Sequence, residues 1–291
     1  WCNECKVPII KSVNSIDKNI CTLCNGNTTY LCADLRPVFP EERLLLEIVT
    51  AKPYAYYNKT IWASNNRYYI DGKVKRITTS FYKKRSPKAI KELLDQYREQ
   101  NDYLFVNQFI GRFIKANQDR LNYLQDEAFS FIQSAAEKYP HESIVLSFSG
   151  GKDSTVTADL AVRALSNPSL VHIFGDTTLE FPLTMEYVQR FRKHNPKAIF
   201  KVAKNKEQNF YKVCEDIGPP ARMLRWCCSM FKTGPITRVL NSMYRDRDIL
   251  TFYGIRKCES VSRSKYNRIE DNAEAIKIQK QKVASPIFYW K

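Results

Sequence analysis

A short apolar run at residues 144–148 opens directly onto Ser149-Gly150-Gly151-Lys152-Asp153-Ser154-Thr155, and a helical pattern then continues to about residue 165, where Asn167-Pro168 stops it. A strand that ends in paired glycines and restarts as a helix brings backbone close to whatever lies at the carboxyl edge of a sheet. Further apolar runs at 170–174, 198–203 and 249–253 alternate with helical stretches, one of them beginning after Pro182. Strands separated by helices imply right-handed crossovers and a parallel sheet covered on both faces, so the fold class read here is α/β. Ser149, Asp176 and Arg256 each fall just after a strand end, which predicts that they share one site.

The loop departs from the Walker A pattern, which puts four residues between its first glycine and a Gly-Lys-Ser/Thr. Here two glycines touch and an aspartate follows the lysine. Gly150 and Gly151 permit close approach of an anion, and the amides and dipole of the following helix point toward phosphate oxygens. Lys152 and the hydroxyls of Ser149, Ser154 and Thr155 add charge and hydrogen bonds. Asp153 either orients the loop or helps to hold Mg²⁺.

Nine cysteines fall into groups. Cys2-x2-Cys5 and Cys21-x2-Cys24 have the spacing of two thiolate knuckles closing on one tetrahedral Zn²⁺, with an iron centre or disulfides as the alternatives. So short a segment has too little apolar surface to fold unaided, and metal binding supplies the missing free energy. Cys32 reads as a buried structural thiol. Cys214, Cys227, Cys228 and Cys258 are four thiols in the carboxyl half; they read as [4Fe-4S] ligands, a redox or sulfur-carrying pair, or inert buried cysteines.

The chain carries a formal charge of +16 and a pI near 9.4, which predicts affinity for polyanions. Residues 51–100 hold twelve Lys/Arg against four acids, interleaved with seven tyrosines and Trp62. Aromatic faces beside cations suit single-stranded nucleic acid, and Lys73, Lys75, Arg76, Lys83, Lys84 and Arg85 are the candidate contacts. A small β subdomain with an aromatic core and solvated lysines is the competing reading. Residues 61–80 predict one hairpin turning at Asp71-Gly72. From 87 to 139 the pattern is helical, with Ile90, Leu93, Leu94 and Tyr97 on one face, and Pro140 ends it. The divisions that follow are a zinc ribbon at 1–35, a basic aromatic β subdomain at 36–86, a helical connector at 87–140 and a nucleotide domain at 141–291. No apolar run reaches transmembrane length and no secretory leader is visible, so a cytoplasmic protein with no membrane partner is expected.

Ser-Gly-Gly-Lys-Asp-Ser strongly resembles the PP-loop of the adenine nucleotide α-hydrolase superfamily. Asp176-Thr177-Thr178-Leu179-Glu180-Phe181-Pro182, Trp226-Cys227-Cys228-x3-Lys232-x2-Pro235 and Gly254-Ile255-Arg256-x2-Glu259-Ser260-x2-Arg263 resemble, in order, the motifs of its phosphoadenylylsulfate reductase branch. The resemblance spans about residues 140–291 and implies a Rossmann-like sheet. It also implies ATP with Mg²⁺ held by Ser147, Ser149 to Thr155, Asp176, Thr177, Arg256 and Arg263, with Lys152, Asp153, Asp176 and Arg256 as catalytic groups. The functions it implies are adenylation of nucleic acid for sulfur transfer, above all DNA phosphorothioation as in Dnd/Ssp systems, with tRNA thiolation close behind. Sulfonucleotide reduction to sulfite, and a decayed nucleotide-gated binding module, are the alternatives. A cysteine desulfurase or other sulfur donor and further modification subunits are the implied partners. The reductase branch carries a downstream cysteine motif absent from this chain, and its first residue is Trp1, so truncation at either end is expected.

Overall fold

The computed structural model describes residues 1–11, 19–97, 103–245, 247–271 and 280–290. The chain divides into two compact units, Trp1–Tyr123 and Leu124–Lys291. The division falls inside the stretch read from sequence as one helical connector.

In the first unit the two cysteine knuckles lie side by side through isolated bridges between Cys2 and Val7, Cys2 and Thr28, and Ile20 and Asn27. Strand β1 (Arg36–Pro37) and helix α1 (Pro40–Val49) lead into β2 (Ile61–Ser64), β3 (Arg67–Ile70) and β4 (Lys73–Arg76), an antiparallel sheet in the order β1-β2-β3-β4. The single hairpin expected at 61–80 is therefore two. Its extra reversal is Asn65-Asn66, with Ser64 paired to Arg67 and Asn65 at φ 52°, a conformation asparagine tolerates. The second reversal has both Asp71 and Gly72 at positive φ, as a primed turn requires. A Cβ on Gly72 would stand 2.4 Å from the Trp1 indole nitrogen, so that turn needs glycine twice over.

Alternate residues of β2 and β3 serve two cores. Ile61, Ala63 and Tyr68 join Val38, Leu46, Tyr56 and Ile77, while Trp62 and Tyr69 pack with Trp1, Val106 and Phe109. The aromatics of the basic stretch are thus largely core, and the stacking platform expected of them reduces to exposed rings such as Tyr54. Among the candidate cations, Lys73, Arg76, Lys83, Lys84 and Arg85 are exposed, whereas Lys75 is half-buried and donates to the Tyr56 hydroxyl at 2.6 Å. Arg98 of the same stretch lies outside the described residues. Helices α2 (Thr79–Tyr82), α3 (Pro87–Tyr97), α4 (Tyr103–Ala116) and α5 (Gln118–Ala136) complete the amino-terminal half, α5 running on into the second unit. No described helix is long and apolar enough to cross a membrane.

The second unit is a six-stranded sheet. Its strands are β5 (Ile144–Phe148), β6 (Val171–Asp176), β7 (Ile199–Lys204), β8 (Ile249–Tyr253), β9 (Ile269–Glu270) and β10 (Gln281–Ala284), ordered β7-β6-β5-β8-β10-β9. All neighbours pair in parallel except β9 with β10. Helices α6 (Lys152–Ala164), α7 (Pro182–His194), α8 (Phe210–Ile217), α9 (Trp226–Cys228) and α10 (Gly234–Tyr244) make the connections, with five residues of π-helix, Ser229–Thr233, joining α9 to α10. One face of the sheet buries Leu146, Phe148 and Phe174 against Ile132 of α5, Leu160 of α6 and Val188 of α7. The other buries Val145, Ile173, Ala203 and Ile249 against Leu240 and Tyr244 of α10. The α/β fold read from the sequence, with a mostly parallel sheet covered on both faces, is the one observed.

Candidate functional site

Strand β5 ends at Phe148 and α6 begins at Lys152, leaving Ser149-Gly150-Gly151 to turn the chain at the carboxyl edge of the sheet. Gly150 takes φ +73°, and a Cβ there would stand 3.1 Å from Val188 Cγ2 and 3.2 Å from Thr184 Cγ2 of α7. The hydroxyls knit the turn from inside: Ser154 Oγ lies 2.9 Å from the Gly151 carbonyl and receives the Ser149 amide at 3.1 Å, and Thr155 Oγ1 donates to the same carbonyl at 3.0 Å. Gly151 caps α6 with no side-chain bond, so the first-turn amides of Lys152, Asp153 and Ser154 have no capping oxygen. Three donors at a helix start, with the helix dipole behind them, form an anion-binding end.

The cations around it are gathered by Asp153. Its carboxylate lies 2.8 Å from Lys152 Nζ and 3.2 Å from Arg256 Nε. Gly254, one residue past β8, lets this happen: a Cβ there would fall 2.6 Å from the backbone of Asp153 and Ser154. Arg256 and Arg263 are tied together through Glu259, which accepts the Arg256 amide at 3.2 Å and pairs with the Arg263 guanidinium.

Asp176 ends β6 and is buried. One of its oxygens accepts the Thr178 amide at 2.8 Å, and the other pairs with Lys204 at 2.9 Å. Thr177 donates to Glu180 at 2.8 Å. Lys204 escaped the sequence reading because nothing local marks it; the parallel register sets it directly opposite Asp176. Ser147, included among the phosphate contacts, instead sits within β5 opposite Tyr253, whose phenol burial pushes up to about 12.

The cysteines separate into distinct environments. Cys214 and Cys227 pack beside Val213, Trp226 and Phe231, and burial, followed by the neighbouring Cys228, pushes the Cys227 thiol up. The Arg225 guanidinium approaches Cys228 Sγ at 3.7 Å. Cys258 belongs to the arginine loop and lies 3.4 Å from the Trp290 carbonyl. Among the described residues no hydrogen bond or core cluster joins Cys258 to the other three thiols. Cys32 is half-buried, not buried, its thiol 3.1 Å from the Asp34 carbonyl.

Cys2, Cys5, Cys21 and Cys24 do converge, with their sulfurs within 4.8 Å of one another. Cys2 to Cys24 is 3.4 Å and Cys5 to Cys21 is 3.8 Å. Four thiolates about 2.3 Å from a tetrahedral zinc lie roughly 3.8 Å apart, so the set fits such an ion. The Cys5 amide points at Cys2 Sγ and the Gly26 amide at Cys24 Sγ, the outer hydrogen bonds that steady thiolate ligands. Burial raises the Cys2 and Cys5 thiols, so a metal that takes them as thiolates displaces protons.

Two proteins of Methanocaldococcus jannaschii, the uncharacterized proteins MJ0066 and MJ0973, are similar to this chain. The first is 34% identical over 196 residues, covering 67% of this chain and 39% of that protein. The second is 35% identical over 158 residues, covering 54% and 36%. The chain thus spans less than two fifths of the length of these relatives. Among solved structures, phosphoadenylyl-sulfate reductase from Candida auris in a phosphate complex aligns over 60% of this chain and 81% of that one, at 16% identity and a TM-score of 0.43. FMN adenylyltransferase from Candida glabrata in complex with ATP aligns over 57% and 51%, at 13% identity and a TM-score of 0.42. The sequence profile of the phosphoadenosine phosphosulfate reductase domain matches residues 143–291, just over half of the chain, the part that carries the glycine loop, Asp176 and the two arginines. The chain belongs to that family, within the PP-loop adenine nucleotide α-hydrolase superfamily.

Proposed function

We propose that the protein is an AMP-forming ATP pyrophosphatase that adenylates an oxygen of nucleic acid, most readily DNA, for replacement by sulfur. The observation that carries this reading is the loop itself. Uncapped amides at the start of α6 stand beside Lys152 and Arg256, which suits charge that develops on a pyrophosphate leaving group. In the first step a substrate oxygen attacks the α-phosphorus of ATP, the bond to the bridging oxygen breaks, and pyrophosphate departs. In the second, the terminal sulfur of a protein persulfide displaces AMP, and a thiol then cleaves the remaining sulfur–sulfur bond. Mg²⁺ would supply further charge for the leaving group, and the zinc set at Cys2, Cys5, Cys21 and Cys24 would be structural.

The basic composition supports a polyanionic substrate. Sulfonucleotide reduction is the second reading, favoured by Cys228 with a guanidinium beside it. An assay for pyrophosphate and sulfite, with ATP or adenylylsulfate supplied, separates the two. Pyrophosphate from ATP is expected, lost by about 100-fold or more in Lys152→Ala. Sulfite release with no turnover of ATP would overturn the proposal.

A further inference from the structure

Residues 187–206 contain seven Lys/Arg (Arg190, Arg192, Lys193, Lys197, Lys201, Lys204 and Lys206) and no Asp or Glu. The stretch covers most of α7, the turn after it and β7, which is one of the two outer strands of the sheet. Basic residues on an outer strand can serve only to block edge-to-edge pairing, and basic residues in a last helical turn complement the dipole. Both accounts place cations there, but neither requires the complete exclusion of acids. Elsewhere the chain neutralises such groups, as in Arg163–Asp159, Lys212–Asp216 and Arg268–Glu127. Among the described residues, Arg190, Arg192, Lys193, Lys197 and Lys201 have no carboxylate within 4 Å.

The surface is also shaped. A cavity of about 360 Å³ opens between the end of α7 and the start of β7, lined by Arg192, Lys193, Asn195 and Phe200 among others. Arg192 lies over the Phe200 ring at 5.2 Å, which fixes its guanidinium against the sheet edge. Along β7 the cations straddle the outer edge of the sheet, Lys201 on the face opposite Phe200 and Lys204 on the same face as Phe200, and the partner of Lys204, Asp176, stands at the carboxyl end of the sheet, the end that carries the glycine loop. Six residues at about 3.3 Å each make a track of roughly 20 Å, the rise of about six base pairs. The large aromatic side chains of the stretch, Tyr187, Phe191 and Phe200, are half-buried. The face therefore offers cations to phosphates and, apart from the His194 imidazole, no exposed ring to an unstacked base.

We propose that the α7–β7 edge is a binding surface for duplex DNA, gripping its phosphodiester backbone without reading sequence and leading it to the carboxyl edge of the sheet. This deepens the nucleic-acid reading of the same domain and rests on it. The test is anisotropy of a fluorescein-labelled 20-base-pair DNA duplex with the full chain, titrated at several salt concentrations. A second protein carries Arg192→Gln, Lys193→Gln, Lys197→Gln and Lys201→Gln together, with its melting temperature measured alongside. Duplex affinity is expected to fall at least tenfold in the variant, and the slope of log affinity against log salt to flatten by up to about 3.6, since each neutralised phosphate contributes about 0.9. A variant that melts like the wild type and binds the duplex with unchanged affinity and slope overturns the proposal. If the variant fails to fold, charge reversal at Lys197 and Lys201 alone, Lys197→Glu with Lys201→Glu, is read by the same criterion. A wild-type preference for a single strand of the same length over the duplex also overturns it. Pyrophosphate release from ATP is measured on both proteins with DNA present as the acceptor. Its absence in the wild type would remove the adenylation reading while leaving the binding result to stand or fall by itself.

Discussion

At the level of single residues the site depends on two glycines for different reasons. Gly150 supplies a positive φ and a tight fit against α7, both suggested by the paired glycines in sequence. Gly254 has an ordinary φ, and its necessity comes only from three dimensions, because strand β8 leaves the sheet against the backbone of Asp153 and Ser154. Gly254→Ala must push the arginine loop away from the phosphate loop, since backbone atoms cannot rotate aside as a side-chain tip can. The expected outcome is a loss of about 1–3 kcal/mol in stability with nucleotide affinity weakened as well, measured by urea denaturation and calorimetric titration. Gly111, inside α4 with nothing within 4 Å of a Cβ, is the contrast. There Ala is expected to add about 1 kcal/mol from helix propensity. If Gly254→Ala behaves like Gly111→Ala, the close approach does not govern the site.

At the level of elements, strands with dense apolar composition were readable from sequence and those defined by their neighbours were not. β5 and β8 fall on the apolar runs at 144–148 and 249–253. β10 is Gln-Lys-Val-Ala, too short and too polar to announce itself, yet Gln281 is buried there because β8 and β9 flank it and Thr251 accepts its amide at 2.8 Å. The Asn65-Asn66 reversal was missed because it lacks glycine. β6 carries a further hidden feature, His172, with its ring beside Phe148, Phe191 and Phe200, Nδ1 2.9 Å from the Leu170 carbonyl, and Nε2 buried without a partner. Burial holds its pKa below the ordinary 6.5. The unfolded chain thus takes a proton more readily than the folded one, and the contribution to stability is present above pH 6.5 and lost as pH falls below it. His172→Phe keeps the aromatic packing and removes that proton. Melting temperature is expected to drop less between pH 7.5 and pH 5 in the variant than in the wild type, even if the loss of the Leu170 bond lowers stability by about 1 kcal/mol at both. Equal drops would show that acid sensitivity arises elsewhere.

At the level of the whole molecule the two units have separate sources of order. The nucleotide unit has a sheet with an apolar core on each face and all the residues of the loop, Asp176 and the arginines. In the first unit the cysteine set is itself part of the packing: Cys2, Cys5 and Cys21 are buried with Val7 and Ala116, and Asn117 receives the Ile10 amide at 2.6 Å while donating to the Pro8 carbonyl at 3.0 Å. Trp1, one residue from the first ligand, is buried among Trp62, Tyr69 and Phe109. Removing a metal from four thiols, three of them buried, leaves them mutually close with only protons to satisfy them, and that disturbance passes to Trp1 and to the end of α4 through these contacts. Chelation of the zinc-loaded protein is therefore expected to speed amide hydrogen exchange in peptides from residues 1–11, 19–37 and 103–117. Peptides covering 144–176 and 249–256 should exchange as before, and pyrophosphate release from ATP should persist, because the loop and the residues named around it all belong to the second unit. Exchange that rises equally in both sets of peptides would mean that the metal supports the fold as one cooperative whole. Unchanged exchange everywhere would mean that the four thiols are held by packing alone.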